Sequence, residues 1–274
     1  MQKTYHRQQG FSLVELSIVL VILGLLTGGI LTGQSLIRAA ELRSVVTEFQ
    51  RYQTATRAFQ DKYFALPGDM KNATSFWGSA GGDGNITGTC STQSGTGTQT
   101  CNGNGNGVLN SASGANVYGE SFAFWQHLAN AGLVEGSFNG KSGAGTMHTL
   151  VPGTNSPQPK LSNAGWYAFH YGDRTNNYGD NKTFNANYQN TLRFINVDGS
   201  ADIIKPEEAW MIDTKLDDGM PARGRLMADS RIGCAVAANG ATLTTAAADA
   251  AKLDSKYNLN SSANVCGLVM LQLF

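Results

Sequence analysis

The feature that most constrains this chain is an apolar stretch near its start, residues 11–37, in which Glu15 is the single charged side chain. About 20 apolar residues in a helix cross the hydrocarbon core of a bilayer, so the stretch is long enough to span a membrane. Lys3 and Arg7 precede it, and this basic flank predicts a cytoplasmic N-terminus with everything after Arg38 outside. A secretory signal peptide has a shorter apolar core, whereas this pattern continues as a predicted helix.

Glu15 is an unexpected residue for an ordinary membrane anchor. A carboxylate inside a membrane-spanning helix costs about 2.5–3.5 kcal/mol on insertion scales, so it needs a partner or a function. No basic residue lies within helical reach of Glu15 on the C-terminal side of Gly10. We therefore predict that another molecule supplies the partner.

The run Gly10-Phe11-Ser12-Leu13-Val14-Glu15, with its short basic leader and the apolar stretch after it, resembles the class III signal of type IV prepilins and type II secretion pseudopilins. The resemblance implies that a prepilin peptidase cleaves between Gly10 and Phe11 and methylates the new amine of Phe11. It also implies that the apolar stretch forms a filament core, where Glu15 pairs with the N-terminal amine of a neighbouring subunit. An unpaired charge in such a core would be very costly.

The apolar stretch departs in one respect from many type IV pilins, which carry a proline about two-thirds of the way along it. This chain has no proline there and instead has four glycines, Gly24, Gly28, Gly29 and Gly33. Glycines spaced four apart permit close helix–helix approach in an apolar medium, and each also weakens a helix by up to about 1 kcal/mol. These glycines could serve either close packing of neighbouring helices or local melting of the helix on assembly, and the sequence does not decide between the two.

We predict an α+β, pilin-like fold, in which a long N-terminal α-helix, half of it transmembrane, packs on an antiparallel β-sheet. Apolar residues recur every three or four positions from residue 42 to residue 63, as they do on one face of a helix, and Pro67 ends the pattern. The predicted segments are a cleaved leader (1–10), a transmembrane or filament-core helix (11–37), its amphipathic continuation (38–66) and an extracytoplasmic globular domain (67–274).

Within the globular domain, residues 78–116 are rich in Gly, Asn, Ser and Thr and predict a long loop, either surface decoration or a subunit contact. Four cysteines allow three pairings, of which Cys90 with Cys101 and Cys234 with Cys266 is the simplest. No Cys-x-x-Cys pair occurs and no histidine is close in sequence. Two disulfides in an oxidising compartment are therefore favoured over a zinc site.

The regular elements of the globular domain are predicted from local patterns. Residues 120–131 indicate a helix with His127 off its apolar face, so we expect a surface or capping role for that side chain. Residues 165–171 and 267–274 indicate strands. Residues 191–204 read as two apolar runs around an Asp-Gly pair, which predicts a β-hairpin.

Candidate chemistry is sparse. The weak metal candidates are Asp213, Asp217 and Asp218, because some pseudopilins, which this chain resembles, bind calcium in a loop near the C-terminus; nearby lysine and arginine side chains are an alternative partner for these acids. Apart from this calcium we predict no cofactor. Neither a Gly-x-Ser-x-Gly nor a His-Glu-x-x-His motif occurs, so we predict no catalytic residue and no enzyme. The zero net charge argues against nucleic acid as a partner.

Together these features predict a structural subunit of a type IV pilus-like or type II secretion filament, located in the bacterial inner membrane and then in a periplasmic or cell-surface filament. The predicted partners are further copies or related pilins, the prepilin peptidase and the membrane. A minor pilin or pseudopilin at a filament tip is one alternative. Another is a membrane-anchored extracytoplasmic enzyme or sugar-binding protein, whose binding face would be formed by Trp166, Tyr167, Tyr171 and Tyr178.

Overall fold

A computed structural model describes residues 12–174 and 183–271 of the chain. The predicted leader and the two residues of the predicted cleavage site, Gly10 and Phe11, lie outside the described residues. The helices are α1 (Leu13–Tyr63), α2 (Ala73–Trp77), α3 (Glu120–Asn130), α4 (Pro206–Leu216) and α5 (Ala247–Ala250), with a short 3₁₀ helix at Thr89–Thr92. The strands are β1 (Ala164–Asp173), β2 (Asn187–Asn196), β3 (Leu226–Ala228), β4 (Ala235–Val236), β5 (Lys256–Tyr257) and β6 (Leu268–Met270). The predicted α+β class is confirmed.

The chain divides into two compact units, residues 1–42 and residues 43–274. In the first unit the described residues form the beginning of α1, which is long and apolar enough to cross a membrane. Its large apolar side chains are uncovered, from Leu13 at 84% exposed to Ile37 at 63%. A Cβ added at any of the four glycines of this stretch would meet nothing within 4 Å, so packing inside the unit does not require glycine there.

In the second unit a four-stranded antiparallel sheet has the order β1-β2-β6-β3. The distal part of α1 (residues 43–63) covers one side of it. Tyr52 lies fully buried between two tryptophans, with ring centroids 4.9 Å from Trp125 of α3 and 5.5 Å from Trp166 of β1. The indole Nε1 of Trp166 also donates a hydrogen bond to Glu48 at 2.8 Å. The apolar stripe predicted from the sequence therefore joins α1 to both the sheet and α3.

The predicted hairpin over residues 191–204 is wrong. β2 pairs with β1 along one edge and with β6 along the other, so neither edge is free to accept the segment that follows it. That segment instead closes a turn, in which the Asn196 N–H donates to the Ser200 carbonyl at 2.9 Å. Ile204 then forms an isolated bridge with Cys266 beside the sheet.

The long loop at residues 78–116 contains the short 3₁₀ helix and isolated bridges as its regular structure. Its centre is more than surface decoration, because Ile86 and the disulfide pair Cys90–Cys101 are buried against Tyr118 and Ala123. The second disulfide joins Cys234 to Cys266, which completes the nearest-neighbour pairing. The loop is thus anchored to the domain by one small apolar cluster.

Helix α3 is buried over almost its whole length, and His127 is completely buried, so the expected surface role for His127 is wrong. Its Nδ1 accepts a hydrogen bond from the Gly68 N–H at 2.9 Å, and its Nε2 lies 3.1 Å from the Thr100 hydroxyl. Because Nδ1 is an acceptor, the proton of the neutral ring is on Nε2 and is donated to Thr100. The Thr100 hydroxyl in turn donates to the Gln126 Oε1 at 2.7 Å. His127 therefore joins the segment after α1 to the long loop.

Candidate functional site

The candidate site at the N-terminus is built by the first turn of α1. The Ser12 N–H donates a hydrogen bond to the Glu15 Oε2 at 2.8 Å, and the Ser12 hydroxyl oxygen accepts from the Val14 N–H at 3.3 Å. These contacts satisfy backbone N–H groups that have no partner inside the helix. An acidic side chain in a first turn is also favoured by the helix dipole. The Glu15 carboxylate consequently points back towards the start of the helix.

The Glu15 carboxylate has capacity for a further donor. A carboxylate offers about four acceptor positions, and the Ser12 N–H is the donor that the described residues supply to it. An ammonium group presented by another chain could therefore join the existing contact without displacing it. The predicted pairing of Glu15 with a neighbour's N-terminal amine is compatible with this geometry, but Phe11 lies outside the described residues.

The surface around Glu15 is apolar and uncovered. Leu13, Leu16 and Val19 are between 51% and 84% exposed, and the same holds along the helix to Ile37. Burying one such side chain stabilises a protein by about 1.5–3 kcal/mol. Covering a surface of this length, by lipid or by apolar helices of other chains, would therefore be strongly favourable.

The second candidate site contains the three aspartates, whose carboxylate oxygens lie within 4.8 Å of one another. Asp213, at the end of α4, is fully buried and accepts hydrogen bonds from the Tyr257 hydroxyl at 2.9 Å and the Gly219 N–H at 3.3 Å. Burial raises the pKa of Asp213 to about 7. The neighbouring Asp217 and Asp218 also raise this pKa, to a smaller extent.

The other two aspartates of this cluster also have partners. The Asp217 carboxylate accepts from the backbone N–H groups of Arg225 and Leu226, and Asp218 forms an ion pair with Arg223 at 3.2 Å. The predicted basic partner is thus present for Asp218 alone, and the donors to Asp213 and Asp217 are a tyrosine hydroxyl and backbone N–H groups. Calcium binding here stays a prediction.

Of the aromatic side chains that were candidates for a sugar-binding face, the two at the start of β1 are not on the surface of the described part of the chain. Trp166 and Tyr167 are completely buried, on opposite faces of β1, because the sheet is covered on both sides. The Tyr171 hydroxyl donates to the buried Asp229 at 2.8 Å, and Asp229 forms an ion pair with Arg193. Tyr178 lies outside the described residues. The sequence predicts the strand from its aromatic residues, but it does not reveal that the second face of the sheet is covered.

One comparison with known families finds a match. The family model described as the prokaryotic N-terminal methylation motif matches residues 5–31, which include the predicted cleavage site and Glu15. Comparisons with curated proteins and with solved structures find no match. The chain therefore carries a prokaryotic N-terminal methylation motif, consistent with the class III signal of type IV pilins and pseudopilins.

Proposed function

We propose that this chain is a structural subunit of a type IV pilus-like or type II secretion filament, assembled through the first part of α1. The observation that carries the proposal is the methylation motif on a helix whose apolar surface is uncovered. A motif of this kind suggests a structural protein, and we propose no enzymatic activity for the chain. Further copies of the chain or related pilins would supply the cover that the apolar helix lacks.

In this proposal the chain is first processed at its N-terminus in the membrane and then assembled into the filament. The prepilin peptidase cleaves between Gly10 and Phe11 and methylates the amine of Phe11, while the helix remains in the inner membrane with its N-terminus on the cytoplasmic side. On assembly, the Glu15 carboxylate accepts the ammonium of a neighbour's Phe11. This contact neutralises two charges that would each be costly in an apolar filament core. Residues 67–274 lie on the extracytoplasmic side, where the two disulfides are stable.

Mass spectrometry of the N-terminal peptide from the membrane or filament fraction tests the processing step. We expect a chain that begins at Phe11 and carries one added methyl group. An intact start at Met1, or a cut beyond Ile37, would refute the proposal and would favour an anchored or secreted binding protein. The abundance of the chain in sheared filaments distinguishes a major subunit from a minor or tip subunit.

A substitution at Glu15 tests the assembly step separately. We expect Glu15→Ala to be processed and methylated normally but to yield few filaments, because the neighbour's ammonium then has no partner. Ser17→Ala is the matched control, since the Ser17 hydroxyl donates only to the Val14 carbonyl within its own helix. Filaments of Glu15→Ala at the level of the control would contradict the proposed pairing.

The proposed function requires no cofactor. Calcium binding at Asp213, Asp217 and Asp218 is proposed only as an addition to the globular domain. Calorimetric titration of the soluble fragment with calcium tests it, with the Asp218→Asn variant as the comparison. A titration without binding heat would refute calcium binding at these aspartates and would leave the filament proposal unaffected.

A further inference from the structure

The sequence contains five Asn-Gly pairs, which are the dipeptides most prone to spontaneous deamidation, because glycine leaves the following backbone nitrogen unhindered. Three of them are consecutive within residues 102–107, and the others are Asn139–Gly140 and Asn239–Gly240. The reaction needs the glycine nitrogen as a nucleophile. A glycine N–H that is held in a hydrogen bond is therefore protected from it.

The three consecutive pairs are held by the segment that follows α1. The Gly103 N–H donates to the Met70 carbonyl at 3.0 Å. The Gly105 and Gly107 N–H groups donate to the two carboxylate oxygens of Asp69, at 2.5 and 2.7 Å. Asp69 is buried, whereas Gly105 and Gly107 are exposed, and a carboxylate acceptor makes these hydrogen bonds stronger than bonds between neutral groups. All three nucleophilic nitrogens of this tract are thus engaged.

The remaining two pairs differ from each other. The Gly240 N–H donates to the Ala237 carbonyl at 2.8 Å. The Gly140 N–H, in contrast, donates no hydrogen bond to any residue in the described parts of the chain. Asn139 is exposed and Gly140 is buried. The Asn139 Oδ1 accepts from the Lys141 N–H at 2.9 Å, and the side chains of Asn104, Asn106 and Asn239 make the same contact with the residue two positions on. The unengaged N–H of Gly140 is therefore what distinguishes Asn139 from the other pairs.

We propose that Asn139 is the modification site of this chain, converted to aspartate and isoaspartate, and that Asp69 protects Asn104 and Asn106 from the same reaction. The Gly140 nitrogen forms a bond to the Asn139 Cγ and loses its proton to water, while the Cγ–Nδ2 bond breaks and ammonia leaves. Water then opens the resulting five-membered succinimide at either carbonyl. The net change is one water consumed and one ammonia released, with no oxidation or reduction.

The test is incubation of the full-length protein in detergent at mildly alkaline pH, followed by proteolysis and mass spectrometry of the peptides. We expect conversion at Asn139 to be at least about tenfold faster than at Asn104 or Asn106, since hydrogen bonds to a charged acceptor must open before either can react. Asn139→Gln should remove the fast component, because a glutamine would have to close a larger ring. Equal rates at the three asparagines would overturn the proposal.

Substitution of Asp69 tests the protecting role. Asp69→Ala should accelerate conversion at both Asn104 and Asn106, and Asp69→Asn at one of them, because its amide keeps a single acceptor oxygen. The rate at Asn139 in the same samples should not change. Asn239 reports that the fold is intact, because the Gly240 N–H is held by the Ala237 carbonyl and conversion there should stay slow in a folded variant. Unchanged rates at Asn104 and Asn106 in a folded Asp69→Ala protein would refute the protection.

Hydrogen exchange of the unsubstituted protein provides an independent measurement that needs no variant to fold. The amides of Gly105 and Gly107 should exchange more slowly than the amide of Gly140, because only the former are held by Asp69. Slower exchange at Gly140 would overturn the proposal whatever the variants do.

Discussion

The buried His127 makes a quantitative prediction about how stability depends on pH. Burial lowers the pKa of His127 from 6.5 to about 3 in the folded protein. An unfolded chain binds the proton near its ordinary pKa of about 6.5. Because the folded pKa lies below the unfolded one, the stabilisation is fully present above about pH 6.5 and is lost as the pH falls towards 3. Between about pH 8 and pH 4.5 the loss is about 3 kcal/mol.

His127→Asn separates this contribution from that of every other titrating group. The asparagine Oδ1 takes the place of the histidine Nδ1 and can still accept from the Gly68 N–H. The contact with Thr100 is lost, so the variant should be less stable than the unsubstituted protein at neutral pH by about 1–3 kcal/mol. Between about pH 8 and pH 4.5, however, its free energy of unfolding should change by about 3 kcal/mol less than that of the unsubstituted protein.

The measurement is urea unfolding of the fragment 43–274 at the two pH values for both proteins. His148→Asn is the matched control, because His148 is only half-buried and the same change should remove a smaller part of the pH dependence. Parallel pH profiles for the unsubstituted protein and His127→Asn would refute the reasoning. In that case His127 either accepts a proton in the folded protein or is accessible to water.

The remaining predictions concern other buried polar groups. The pKa of Asp213 is raised to about 7, so its contribution has the opposite sign: stability falls as the pH rises from about 4 to about 7. The Asp213→Asn variant can keep the contact with Tyr257. In urea unfolding in calcium-free buffer, the substitution should reduce this fall in stability by up to about 4 kcal/mol. Equal pH profiles for the variant and the unsubstituted protein would contradict this prediction. Asp229→Ala leaves Arg193 buried without its carboxylate and should destabilise the fragment by about 3–5 kcal/mol in urea unfolding. Arg193→Met with Asp229→Ala should recover much of that loss, and a double variant as unstable as the sum of the single variants would exclude the coupling.

The N-terminal motif could be identified from the sequence because all of its information is local. A glycine, a phenylalanine, a glutamate and an apolar run in fixed order are consecutive in the chain, and no tertiary contact is needed to recognise them. The length of α1 and the apolar stripe on its second half are equally local, since they follow from helical periodicity. The α+β class followed from these segments and from the aromatic strand that became β1.

Other features depended on which segments meet. The hairpin prediction failed because β6, from the far end of the chain, occupies the edge of β2 that the hairpin needed. His127 was expected at the surface because its own helix has a more apolar face, but α3 is covered on every side. The contacts of Asp69 with Gly105 and Gly107 also depend on tertiary structure, because these glycines are 36 and 38 positions away from it in the sequence.

The sequence by itself thus determined the processing motif, the membrane-capable helix and the fold class of this protein. The tertiary structure decided which polar groups are buried and which partners they have: His127 with Gly68, Asp69 with two glycine amides, and Asp213 with Tyr257. The physical reason is that the spacing of apolar residues shows only which face of a helix or strand is apolar. Burial depends on the second segment that covers each face, and that segment is distant in sequence.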